Sequence, residues 1–263
     1  MRRAVLALGA LAALVLSASS GAGKSPYPVV KPRWLAGVQI TEYYAAPESW
    51  FVGRKVPAPG LTGKHRVDWL YSSGGISMEG DGIGLDGLRY HLSAIGTPGW
   101  VTQDGHATAP GSAGWSNGSP FWRFGGWRNK KKAVTFPLGA GGWFDQKGIR
   151  YIKPAGVRFE AGPSLPLKPW RSIAVDTGVI PMGSRVFVPA YCPLVKHGWF
   201  TAQDTGGAIN GLHIDVYRLP PKKRGDDLQF SGQRIYVIPP AAKLPVTKPK
   251  PTCATAGPAK PLK

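Results

Sequence analysis

Three aspartates in the second half of the chain carry the most legible chemistry. Asp176 opens "DTGVIPMG", Asp204 opens "DTGGAING" and Asp215 sits inside "LHIDVY". Neighbouring carboxylates can divide acid and base work, because burial or a second negative charge favours the protonated form of one of them near neutral pH. A strand period of two turns Leu212, Ile214 and Val216 of "LHIDVY" to one face and His213, Asp215 and Tyr217 to the other. Asp215 then stands mid-strand on a polar face, held by a rigid element. Gly206, Gly207 and Gly211 allow a tight turn and a close ligand approach to the backbone, so Asp204 can return beside Asp215. Asp before Thr-Gly is also ordinary turn chemistry, with the carboxylate accepting from nearby amides. That reading suits Asp176 best and Asp215 least.

An Asp-Thr-Gly tripeptide occurring twice raises the idea of an aspartic protease, in which two carboxylates share a proton. A two-lobed protease takes each Asp from a separate large lobe, and Asp176 and Asp204 lie far too close in sequence for that. The five His show no zinc-ligand spacing, and no metal or cofactor is expected. Secondary candidates for substrate contact are Glu42 and Tyr44 in "TEYYAAP", and Glu79 beside Asp81 in "SMEGDG". Trp115, Phe121, Trp122, Phe124 and Trp127 either stack on sugar faces or pack against one another. Lys130, Lys131 and Lys132 suit an anionic polymer or a plain solvated surface.

The elements that must position these residues are mainly β. With 36 Gly and 26 Pro among 263 residues, long helices are disfavoured. Short alternating stretches at 37–44, 184–190, 198–204, 212–217 and 233–239 are each bounded by Gly, Pro or Asp, as half-buried strands are. Residues 36–44 read as a first barrel strand and 169–240 as a compact β unit. Residues 45–168 read as a long β/loop-rich insertion or second lobe, in which the Asp-Gly steps of "GDGIGLDG" suit hairpin turns. One helical turn is expected over 225–230, capped by Asp226 or Asp227.

Arg2 and Arg3 before an apolar run and a small-residue stretch give residues 1–22 the layout of a secretory signal peptide. Ser19 stands where a lipoprotein signal would need Cys, so no stable membrane anchor is expected. Residues 23–35 read as a linker and 241–263 as a Pro/Lys-rich basic tail. In an exported protein Cys192 and Cys253 can pair, which would tie the tail to the domain, or remain two free thiols. The balance of 33 Lys+Arg against 14 Asp+Glu favours polyanionic surroundings. Outside the cytoplasm that favours anionic cell-wall polymer over nucleic acid, beside the plain reading that excess lysine keeps the protein soluble.

The order "SIAVDTGVIPMGSRVFVP", "AQDTGGAINGLHIDVY", "QRIYVI" resembles the 3D domain, named for three aspartates and found as the C-terminal module of the membrane-bound lytic transglycosylase A family. "VQITEYYAAP" looks like that family's first strand. The resemblance implies a double-psi β-barrel that cleaves peptidoglycan glycan strands, with Asp215 on the catalytic acid and Asp204 on the neighbour that shapes its surroundings. Asp176 matches the third aspartate, and together with Gly206, Gly207, Glu42, Tyr44, Glu79 and Trp122 it is expected on the substrate side. The expected reaction breaks the bond between N-acetylmuramic acid and N-acetylglucosamine and leaves 1,6-anhydro ends. A non-catalytic wall-binding module on the same barrel is the alternative.

Overall fold

The computed structural model describes residues 27–96, 99–101, 106, 126–138, 142–242 and 250–256. The expected signal segment and the aromatic candidates Trp115, Phe121, Trp122 and Phe124 lie outside the described residues. Strand β1 (Arg33–Tyr43) enters the barrel, and the chain then leaves it for a second lobe. That lobe holds β2 (Ala46–Pro47), β3 (Lys55–Val56) and β4 (His65–Arg66), then helices α1 (Val67–Tyr71) and α2 (Ile76–Glu79). After them come β5 (Asp81–Ile83), β6 (Arg89–Ala94), β7 (Trp100–Val101), β8 (Gly126–Arg128), β9 (Val134–Pro137), β10 (Trp143–Phe144), β11 (Ile149–Arg150) and β12 (Arg158–Ala161). The chain returns to the barrel in β13 (Ser172–Val175), β14 (Arg185–Phe187), β15 (Trp199–Asp204), β16 (His213–Tyr217) and β17 (Phe230–Ile238).

The barrel is closed in the order β1-β16-β13-β15-β14-β17. Its two parallel contacts, β1 with β16 and β13 with β15, occur among antiparallel ones, and the whole is the double-psi β-barrel expected from the resemblance. Alternation fills it. Val38, Ile40, Ile173, Val186, Ile214, Val216, Ile235 and Val237 point inward and are nearly or fully sealed from solvent, which supplies the burial energy of the domain. The second lobe has its own core around Trp69, Tyr90, Trp143 and Phe159, under a four-stranded sheet ordered β12-β6-β5-β2 and a five-stranded one ordered β11-β10-β9-β8-β7.

Several local expectations change in the structure. Asp86-Gly87 makes the β5–β6 turn as expected, with Gly87 at φ 78°, but Asp81-Gly82 lies within β5. A Cβ on Gly82 would fall 2.5 Å from the Trp69 ring, so this glycine serves packing and not a turn. The helical turn expected over 225–230 is absent. The Leu228 amide donates to Glu42 Oε2 at 3.0 Å and Asp227 Oδ2 accepts from Tyr44 at 3.2 Å, so contacts to β1 outbid local helix formation. Trp127 is buried against Trp100, ring centroids 4.7 Å apart, and packs inside the second lobe. Lys130, Lys131 and Lys132 are exposed on the β8–β9 turn. Cys192 and Cys253 are disulfide-bonded, the first of the two alternatives, so the tail is tied to the barrel at a one-turn helix, Cys253–Ala256. No helix among the described residues is long and apolar enough to cross a membrane.

Candidate active site

Register assembles the site. Asp215 is the Cα partner of Thr41 on β1 and of Ala174 on β13, and Ala174 is in turn the partner of Asp204 on β15. Thr41, Asp215, Ala174 and Asp204 therefore form one row across four adjacent strands. The two carboxylates stand two strand spacings apart, roughly 10 Å between Cα atoms, with only a methyl group between them. A larger side chain at 174 would fill the space they share.

Asp215, Ala174 and Asp204 of this row form the floor of a cleft between the barrel and the second lobe. The cleft has two adjoining hollows of about 260 and 220 Å³, and Tyr43, Glu79 and Asp215 border both. The first hollow adds Glu42, Tyr44, Trp50, Arg224 and Asp227. The second adds Ala174, Asp204 and the loop from Thr205 to Ile209. Glu79 enters from α2, so the second lobe supplies one wall, and the Arg89 guanidinium set 5.8 Å from the Tyr217 ring joins the lobes nearby.

Hydrogen bonds orient both acids. The Thr41 hydroxyl donates to Asp215 Oδ1 at 2.8 Å and lies 2.9 Å from His213 Nε2. The Tyr43 hydroxyl donates to Asp204 Oδ2 at 2.7 Å, and the Thr205 amide donates to Asp204 Oδ1 at 2.8 Å. Burial pushes the Asp204 carboxyl above its ordinary range, and these two donors oppose the shift without cancelling it. The Tyr43 phenol is driven strongly upward by its own burial, then by Asp204 and Asp215, so it stays a neutral donor between two acids. Burial lowers His213, which disfavours its cation beside Thr41.

The remaining sequence candidates divide by position. Gly206 and Gly207 line the second hollow, and a Cβ on Gly206 would meet Ile209 at 2.7 Å. Asp176 borders neither hollow. Its oxygens accept from the Gly178 and Gly211 amides at 2.8 and 2.7 Å, so it clamps the glycine loop that leads into β16. Glu42 borders the first hollow, yet its carboxylate is buried and bonded to Tyr191, Arg218 and the Leu228 amide. Tyr44 borders the same hollow, tethered to Asp227, and Glu79 is exposed on its rim. Trp122 lies outside the described residues. Sequence reasoning missed Thr41, Tyr43 and Ala174. Period two in "ITEYY" puts Thr41 and Tyr43 on the face opposite Ile40 and Glu42, which was a usable signal, whereas nothing local marks Ala174. Among the described residues no three His, Cys, Asp or Glu side chains converge as metal ligands.

Residues 171–226 match the family model of the 3D domain, and the chain carries that domain over most of the returning barrel strands. Among curated proteins, 75 residues are 41% identical to the cell wall-binding protein YocH of Bacillus subtilis (strain 168). The aligned stretch is 28% of this chain and 22% of that protein, so the likeness is confined to a part of each. Among solved structures, MltA from E. coli is 17% identical with a TM-score of 0.38, over 76% of this chain and 72% of that one. The membrane-bound lytic murein transglycosylase from Agrobacterium tumefaciens is 13% identical with a TM-score of 0.36, over 79% and 76%.

Proposed function

We propose that the chain is an exported peptidoglycan lytic transglycosylase with Asp215 as its acid. The observation that carries this reading is the row Thr41–Asp215–Ala174–Asp204, whose last three members line a two-lobed cleft. Asp215 protonates the glycosidic oxygen as its bond to C1 of N-acetylmuramic acid breaks. Its carboxylate then takes the proton of that sugar's C6 hydroxyl while O6 closes on C1, giving the 1,6-anhydro product. One carboxyl group does both jobs, since the nucleophile is already part of the substrate. A hydrolase would need its second carboxylate to activate water or to attack the sugar. Here Asp204 is occupied by Tyr43 and Thr205, which suits it to stabilise charge developing on the ring. Thr41 positions Asp215, and the acidic wall formed with Glu79 suits a cationic transition state.

The test is digestion of purified peptidoglycan followed by mass spectrometry of the muropeptides. Anhydro ends that vanish in Asp215→Asn support the proposal, and reducing ends in their place make the chain a hydrolase. The likeness of its 3D region to a cell wall-binding protein favours a second reading, a wall-binding module without catalysis. Binding with no new ends of either kind supports that one.

A further inference from the structure

The barrel is electrically divided along its strands. On β1, β14, β15 and β17 the only carboxylates are Glu42 and Asp204, and both lie at the cleft end. The opposite end is basic and aromatic. Trp34 pairs with Tyr236, Tyr236 with Phe187 and Phe187 with Trp199, so four aromatic residues stand in one row across β1, β17, β14 and β15. Alternation turns all four away from the barrel core, because their neighbours Leu35, Ile235, Val237, Val186 and Phe200 point into it; Phe187 is fully buried within the row, while Trp34 is exposed and Tyr236 and Trp199 are half-buried. Trp34 contacts both Tyr236 and Phe187, with ring centroids 5.4 and 6.3 Å away, and Phe187 contacts Trp199 at 5.3 Å.

An arginine stacks at each end of the row. The Arg234 guanidinium lies 4.9 Å from the Trp34 ring and that of Arg185 lies 5.0 Å from Trp199. Both side chains are exposed, and neither has a carboxylate partner among the described residues. Stacking fixes a guanidinium plane while its N–H edge stays available for bidentate bonds to a phosphate. Trp34 is 38% exposed and leaves part of its ring open to a ligand. The Cys192–Cys253 sulfurs lie beside Gly198 and Phe187, so the disulfide braces the middle of the row. From β1 to β15 the row spans three strand spacings, roughly 14 Å. Strand β1, roughly 35 Å long at about 3.3 Å per residue, separates this face from the cleft, with Trp34 near its start and Tyr43 at its end.

We propose that this face docks the chain on a phosphodiester-linked anionic wall glycopolymer, with polyol or sugar carbons against Trp34 and Trp199 and phosphates on Arg234 and Arg185. Location at the wall rests on the function proposed above, and the face itself does not use the cleft. Two arginines bracketing an aromatic strip match an alternation of charge and carbon better than a continuous lipid surface.

The test is co-sedimentation with purified walls bearing poly(ribitol phosphate), and with the same walls stripped of it, using the full chain carrying Asp215→Asn so that cleavage cannot release it. The chain is expected to bind the polymer-bearing walls and to lose most of that binding on stripped ones. Arg185→Gln with Arg234→Gln should weaken binding about tenfold or more, and Trp34→Ala should weaken it independently, each protein first shown to melt as the parent does. Lys130→Gln, Lys131→Gln and Lys132→Gln together remove more charge from the second lobe and should change binding less than the arginine pair. Equal binding by the arginine variant, equal retention on stripped walls, an equal loss in the lysine triple, or equal competition by DNA or anionic vesicles would each overturn the proposal. Failure of the cleavage reading shows separately, as absence of anhydro ends from the unmutated chain whatever its binding.

Discussion

Tyr43→Phe isolates the bond that holds Asp204. The substitution removes one oxygen and leaves the ring and its packing on Tyr217, 5.2 Å away between centroids, in place. A hydrogen bond to a charged group contributes about 1.5–3 kcal/mol, and one between neutral groups about 0.5–1.5 kcal/mol. Asp204 has its folded pKa raised by burial. Between the unfolded value of 3.8 and that raised value the folded state therefore binds more protons than the unfolded one, and stability falls as pH rises through the window. Tyr43 favours the charged form, so its loss extends the window upward. We expect a cost of about 2 kcal/mol at pH 7, shrinking to about 1 kcal/mol near pH 3, below the unfolded value of 3.8, where Asp204 is largely protonated and the lost bond is a neutral one. Urea unfolding of both proteins at the two pH values measures this, with Asp204→Asn and the double variant completing a cycle. An equal cost at both pH values, or an unchanged cost in the Asp204→Asn background, refutes the reasoning.

Ala174→Leu places three extra carbons between Asp204 and Asp215; turnover of glycan strands should drop at least tenfold while near-ultraviolet dichroism stays that of a folded barrel. Arg218→Met strands the buried Glu42 carboxylate without its cation, and should lower stability by about 3–5 kcal/mol in denaturant titration. Replacing Cys192 and Cys253 together by Ser opens a loop with a sequence separation of 61. The chain-entropy estimate caps the resulting loss at about 4 kcal/mol, read from unfolding curves with and without reductant.

Much of the barrel was legible along the chain because strand alternation is local. Each short run bounded by Gly, Pro or Asp became a strand, from β1 to β17, and the period of two assigned Asp215 to the face away from Ile214 and Val216. The same rule, applied to "ITEYY", would have favoured Thr41 and Tyr43 over Glu42. Glu42 shares the inward parity of Ile40, and only a cation from Arg218 and donors from Tyr191 and Leu228 make that position tolerable to a carboxylate. Those partners lie far away in sequence, so no local pattern announces them. The second lobe was less legible, because its strands are two to six residues long and its glycines, such as Gly82 under Trp69, answer to tertiary packing.

The sequence by itself determined the parity of each strand, the glycine turn before Asp215, the excess of positive charge and the presence of two cysteines, all properties either of composition or of neighbours within a few residues. Which strand lies beside which was decided only in three dimensions, by the closure that pairs β1 with β16 and β13 with β15 and so brings Thr41, Asp215, Ala174 and Asp204 into one row. Closure likewise separated the carboxylates at one end of the barrel from the stacked arginines and tryptophans at the other, because register between distant strands depends on burying both inner faces at once.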